Sequence, residues 1–166
     1  MRRVAKFHKV SFEEFKKVFP SKKEEDILKI YEQIILPKRA TLKSAGYDFF
    51  TPFAFCIKPQ ETIKIPTGIR CYMEENWVLK LYPRSGLGFT YRLQLNNTVG
   101  IIDADYFYSD NEGHIFVKIT NDTNENKTIE LKQGEGFAQG IFIEYGITLD
   151  DDVKDVRNGG FGSTTK

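Results

Sequence analysis

Two hydrophobic periods divide the chain. Between residues 11 and 35 apolar side chains recur every three or four positions: Phe12, Phe15, Val18 and Phe19 up to Pro20, then Ile27, Leu28, Tyr31, Ile34 and Ile35 up to Pro37. That spacing marks one face of an α-helix. Ser11 with Glu14, and Ser21 with Glu24, have the spacing of capping boxes, in which a hydroxyl takes up an amide left free in the first helical turn. The pattern predicts two amphipathic helices over 11–35, laid on the body of the protein as an addition and carrying no cluster of reactive groups. From about residue 40 the period becomes two. "ETIKIPTGIRCYM", "NWVLKLYPRS" and "GHIFVKITN" alternate, with Trp77, Leu79 and Leu81 on one face and Ile115, Val117 and Ile119 on another. Turn-formers such as the polar run Asn121–Lys127 separate these strands. Many short strands with Gly- and Asn-rich turns predict a mainly β fold, a sandwich, barrel or jelly roll.

At 166 residues one domain is expected: a helical insertion over 11–35, a β core over 36–149 and a flexible lid over 150–166. The acidic run Asp150–Asp152 reads as a solvated linker into that lid. A net charge of +1 gives no broad surface for nucleic acid or membrane, so a charged ligand must be held by a local site. No apolar run approaches the roughly 18 residues of a membrane span. Cys56 and Cys71 lie in apolar stretches and are expected to be reduced core residues of a cytoplasmic protein. His8 and His114 are isolated, have no zinc-site spacing, and are expected at the surface.

Five stretches carry candidate chemistry. "SAGYD" (44–48) places Asp48 just after glycine at the start of a strand. "PRSGLGF" (83–89) sets Arg84, Ser85 and Gly86 in a turn after a strand, where an arginine fork, a hydroxyl and free amides can cradle phosphate. "NNTVGIIDADY" (96–106) holds Asp103, Asp105 and Tyr106 at a sharp hairpin-like bend, and "GEGFAQGIF" (134–142) puts Gln139 in an otherwise apolar strand. The chain ends on "RNGGFGSTTK" (157–166), which mixes flexible backbone, anion-binding side chains and one flat ring. Singly, these are ordinary turns and a frayed end. Together they supply phosphate donors and hard carboxylates, which suit Mg²⁺ bridging nucleotide phosphates. The tail is no Walker loop, because Gly162 is followed by Ser163 and no lysine opens a helix.

In order and spacing these stretches resemble the five motifs of the trimeric dUTPases, the deoxyuridine triphosphate nucleotidohydrolases, over about Leu36 to Thr164; "PRSGLG", "GIIDADY" and "RNGGFGSTT" carry the likeness most specifically. The resemblance implies a homotrimer of jelly-roll-like subunits with active sites shared among three chains, converting dUTP to dUMP and pyrophosphate. It makes Asp48 the acid that holds Mg²⁺ through water, and Arg84, Ser85, Gly86 and Gln139 the phosphate-binding set. Asp103 matches the carboxylate that activates the attacking water, and Tyr106 the ring packed on the deoxyribose. Backbone in the 97–106 segment, at Gly100 and Ile102, would read uracil with help from Asn97. Arg157, Gly162, Ser163 and Thr164 would hold the γ-phosphate side while Phe161 covers the base.

Three departures accompany the likeness. Tyr106 is followed by Phe107, Tyr108 and a longer polar loop through Gly113, where the family usually has Arg-Gly; Glu135-Gly136 replaces Asp-Arg or Asp-Lys; Phe49 replaces a leucine. The helical segment 11–35 is absent from the shortest members. Two alternatives share the scaffold. A dCTP deaminase would need a glutamate on the strand that here reads "HIFVKITN". A nucleotide-responsive regulatory protein would bind another protein, through residues 11–35.

Overall fold

The alternating segments pair into antiparallel sheets, and the computed structural model describes residues 1–155 and 157. The largest sheet has five strands, in the order β2 (Lys38–Arg39), β3 (Tyr47–Phe50), β12 (Gly136–Glu144), β7 (Trp77–Pro83) and β9 (Gly100–Ile102). A three-stranded sheet places β10 (Phe116–Asn121) between β5 (Thr62–Pro66) and β8 (Leu93–Leu95). Two-stranded ribbons join β1 (Ala5–Lys9) to β6 (Ile69–Met73), and β11 (Ile129–Leu131) to β4 (Phe55–Ile57). The fold is the mainly β, jelly-roll-like class expected from the strand pattern and the resemblance.

Leu79 and Leu81 of β7, Phe49 of β3, Phe137 of β12, and Ile115, Val117 and Ile119 in and beside β10 are buried in one core. Burying each such side chain contributes about 1.5–3 kcal/mol over leaving it exposed, so these inward rows fix the strand registers. The polar run at 121–127 begins inside β10, where the Asn121 side chain is buried and donates to the carbonyls of Ile57 and Lys127.

The amphipathic segment forms two short helices, α1 (Phe12–Lys16) and α2 (Glu24–Glu32). Ser11 caps α1 as expected, its Oγ accepting from the Glu14 amide at 3.1 Å. α1 ends sooner than the pattern suggests, and Val18 and Phe19 lie in turns beyond it. Pro20 accounts for this, since proline disfavours helical backbone in the residue before it. At α2 the expected Ser21 cap is not used: Lys23 is the N-cap without a side-chain bond, and Glu24, Glu25 and Asp26 face the positive end of the helix dipole instead. Ile27, Tyr31 and Ile34 face inward, whereas Leu28 sits about 100° around the helix and Ile35 lies past its end; both are exposed. The pair of helices seats on Gly68, whose φ is +71°; a Cβ there would lie 2.4 Å from Ile34 Cδ1 and 3.2 Å from the Phe15 ring.

The strand β1 escapes the hydrophobic pattern because lysine and histidine alternate around its one large apolar residue, Phe7. That ring packs against Tyr47, Phe49 and Phe142 and joins the core. Cys71 is buried as expected, but Cys56 is exposed, because it points outward between Phe55 and Ile57. The expected surface placement fails for His114, which is fully buried. No helix among the described residues is long and apolar enough to cross a membrane.

Candidate active site

The predicted residues gather in two clusters. The first forms where β3, β12 and the end of β7 meet. Register sets Asp48 directly opposite Gln139, and Gln139 Nε2 donates to the Pro83 carbonyl at 3.2 Å. Gly46 leaves room for that amide, since a Cβ there would lie 2.7 Å from Gln139 Oε1. Arg84 follows β7 directly, with its Nε 3.3 Å from Asp48 Oδ1 and its Nη1 donating to the Gly136 carbonyl at 3.3 Å. A Cβ at Gly136 would come 2.6 Å from Arg84 Nη1. The glycine at this departure from the family pattern is therefore what lets Arg84 lie across β12.

Arg84 and Ser85 do not sit in a simple turn. Arg84 is the N-cap of a seven-residue helix, α3 (Ser85–Tyr91), which leaves Ser85 and Gly86 exposed in its first turn. The sequence shows no apolar period there because α3 buries none of its residues.

The second cluster forms at β9. Its inner edge pairs with β7, matching Leu79 with Ile102 and Leu81 with Gly100; its outer edge has no strand partner among the described residues. Gly100 allows a close approach, since a Cβ would stand 3.0 Å from Leu81 Cβ. Beside this edge is a cleft of about 270 Å³, lined by Asn97, Gly100, Ile102, Asp103, Tyr106 and Arg157 over a floor that includes Leu81 and Val117. Asp103 is the N-cap of a 3₁₀ helix (Ala104–Tyr108), which takes the place of the expected hairpin bend and turns Tyr106 inward.

Tyr106 is buried, its hydroxyl donating to the His114 carbonyl at 2.7 Å and accepting from Asn111 Nδ2 at 2.8 Å. Burial raises its pKa, so the ring is a neutral phenol at physiological pH. The Arg157 guanidinium bridges two acids, with Nη2 on Asp103 Oδ2 and Nε 2.9 Å from Asp105 Oδ1. Asp105, within the stretch singled out in the sequence, joins the site through Arg157, whereas Asn111 and His114 join its surroundings without any motif to announce them, because each acts through a contact that only the folded loop creates. Phe161, Gly162, Ser163 and Thr164 lie outside the described residues.

Among the described residues no hydrogen bond or ion pair joins the two clusters. Nor do three or more His, Cys, Asp or Glu side chains converge as a metal cage. Asp48 offers one hard oxygen-donor group, the donor chemistry Mg²⁺ takes when water and phosphate oxygens complete its shell.

The sequence model of the dUTPase family matches residues 32–165. The deoxyuridine 5'-triphosphate nucleotidohydrolase of Lactococcus lactis is 42% identical over 134 residues, covering 79% of this chain and 88% of that protein. Its counterpart in Shewanella piezotolerans is 38% identical over 142 residues, covering 81% and 89%. Among solved structures, the dUTPase from Streptococcus mutans superposes with a TM-score of 0.62 at 38% identity, covering 70% of this chain and 90% of that one. The dUTPase of Staphylococcus bacteriophage 80alpha shares the fold at a TM-score of 0.65 and 21% identity, over 98% of this chain and 99% of that one. The matched span runs from before the strand of Asp48, through both clusters, to the glycine-rich end, and the chain belongs to the dUTPase family.

Proposed function

We propose that this chain hydrolyses dUTP to dUMP and pyrophosphate. One observation carries the reading: in a member of this family, a cleft lined by Asp103 and Tyr106 lies beside the edge of β9 that has no strand partner among the described residues. An unpaired strand edge presents alternating N–H and C=O groups, which match the donors and acceptors of a uracil edge. Gly100 and Ile102 supply that backbone and Asn97 a side-chain amide, while Tyr106 packs on the deoxyribose where a 2'-hydroxyl would clash. A backbone set to uracil's pattern leaves polar groups unpaired against cytosine, which opposes dCTP.

At the triphosphate, Asp103 takes a proton from the attacking water as its oxygen bonds to the α-phosphorus. The bond from that phosphorus to the α,β-bridging oxygen breaks, and pyrophosphate leaves. Arg84, Ser85, Gly86 and Gln139 hold phosphate oxygens. Arg157 exchanges Asp103 for the γ-phosphate, which frees the carboxylate to act as base. Mg²⁺ held through water by Asp48 would neutralise phosphate charge. Phe161, Gly162, Ser163 and Thr164 close over the substrate, so that positioning and electrostatics dominate the rate.

The separation of the two clusters supports a homotrimer in which Asp48 of one subunit meets Asp103 of another. Side chains such as Phe89, 93% exposed, and Ile147, Leu149 and Val153 of the C-terminal arm leave apolar surface for such contacts. Deamination of dCTP is disfavoured, because β10 reads "FVKITN" and has no acid. Pyrophosphate release measured on dUTP, dTTP, dCTP and UTP tests the assignment. Turnover is expected on dUTP alone; comparable rates on dCTP or UTP would overturn it.

A further inference from the structure

Two features without an assigned role meet at one place: the longer polar loop after Tyr108 and the N-terminal helical segment. Asn111 is held at both ends of its amide. Its Oδ1 accepts from the Gly113 N–H at 3.2 Å, which orients Nδ2 to donate to the Tyr106 hydroxyl at 2.8 Å. The phenol's single hydrogen goes to the His114 carbonyl, so the hydroxyl has one donor and one acceptor and a defined position. Gly113, at φ +70°, lets the loop fold back on the 3₁₀ helix; a Cβ there would lie 2.6 Å from the Tyr106 carbonyl oxygen and 2.8 Å from Phe107 Cα.

The outer side of the loop is tied to α1. The Glu112 carboxylate accepts from the Ser11 amide at 2.7 Å and from Ser11 Oγ at 2.6 Å. It thereby supplies the second half of the capping box, while Glu14 pairs with Lys17. Arg70 Nη1 lies 3.8 Å from the same carboxylate, and Arg70 Nη2 donates to the Phe107 carbonyl at 2.6 Å. The wall of the cleft that carries Tyr106 is thus braced from inside by Asn111 and from outside by the N-terminal segment.

We propose that Asn111 is a positioning residue for sugar discrimination, holding the Tyr106 ring through its phenol while Glu112 and Ser11 anchor the loop to α1. The proposal rests on the reading of Tyr106 as the ring against the deoxyribose. Rejection of a 2'-hydroxyl depends on how firmly the ring is held, because a ring free to give way accommodates the extra oxygen. The brace therefore acts on the ratio of kcat/KM for dUTP to that for UTP more than on either rate alone.

The test compares that ratio in Asn111→Leu, which keeps the side chain's size but donates nothing, with wild type and with Tyr106→Phe and Tyr106→Ala. Asn111→Leu is expected to lower the ratio about five- to tenfold, the scale of one net hydrogen bond. Tyr106→Phe should lower it similarly, and adding Asn111→Leu to Tyr106→Phe should change it no further. Glu112→Ala, at the outer anchor, should move the ratio in the same direction by less. A folded Asn111→Leu enzyme with an unchanged ratio overturns the proposal if Tyr106→Ala lowers the ratio. If Tyr106→Ala leaves it unchanged as well, the reading of Tyr106 itself is what fails. Should Asn111→Leu not fold, an unchanged ratio in Tyr106→Phe overturns the proposal, because the phenol is then irrelevant to the discrimination.

Discussion

His114 has no exposed surface, and burial lowers its pKa to about 4, with Glu112 opposing that shift and Lys64 adding to it. Its Nε2 accepts from the Gly68 amide at 3.0 Å, a bond that a protonated ring cannot accept. Above about pH 6.5 the ring is neutral both folded and unfolded, and its titration contributes nothing to the pH dependence. Between 6.5 and about 4 the unfolded chain takes up a proton that the folded chain refuses, so stability falls as pH drops. The loss is on the order of 3 kcal/mol once both states are protonated. Urea unfolding between pH 7.5 and 4.5 should show a steeper loss in wild type than in His114→Gln, which keeps an acceptor but does not titrate. Equal slopes would show that His114 does not govern this range. The sequence could not reveal this residue, because a single histidine between Gly113 and Ile115 has no spacing that marks burial. The places of Asp48, Asp103 and Gln139 were legible for the opposite reason: each polar group stands within or just past an apolar strand, where it breaks the hydrophobic pattern.

At the scale of elements, β9 is three residues long and yet sets the geometry of the cleft. Its distance from β7 depends on Gly100 facing Leu81. In Gly100→Ala the new methyl would stand 3.0 Å from Leu81 Cβ and 3.3 Å from its Cδ1, so β9 must move outward or Leu81 must shift. Overpacking of this kind costs about 1–3 kcal/mol, and the displacement falls on the backbone proposed to read uracil. The variant should melt at a lower temperature and show a higher KM for dUTP, with a smaller change in kcat; an unchanged KM would place base recognition elsewhere. The strands β7 and β10 were legible because Leu79 and Leu81, and Val117 and Ile119, recur every second residue, and β12 because it is an apolar run bounded by glycine and interrupted by Gln139. The helix α3 and the 3₁₀ helix were not. α3 buries no side chain, the 3₁₀ helix buries only Tyr106, and both arise where glycine-rich or acidic turns close on neighbouring strands, so neither leaves a hydrophobic period to read.

On the scale of the whole molecule, the two clusters pose one question, which is how acids that share no contact among the described residues could serve the one substrate proposed for them. Asp48 pairs with Arg84 at the β3–β12–β7 junction, and Asp103 pairs with Arg157 beside β9. If sites are completed between subunits of a homotrimer, the acids are contributed by different chains, and inactive variants can complement one another. Asp48→Asn and Asp103→Asn chains, each nearly inactive alone, are dissociated, mixed in equal amounts and reassembled. Averaged over all the reassembled trimers, a site drawing Asp48 from one subunit and Asp103 from the next has about one chance in four of receiving both native acids, so about a quarter of wild-type turnover should return. Were both acids of a site supplied by one chain, every site would carry one lesion and mixing would restore nothing. The amides in place of carboxylates keep size and backbone intact, so a failure to recover activity in trimers of normal stability would refute sharing rather than report misfolding. Light scattering on the reassembled sample separates that outcome from incomplete assembly, since a sample that has not returned to the mass of the wild-type oligomer has not yet put the two acids within reach of each other.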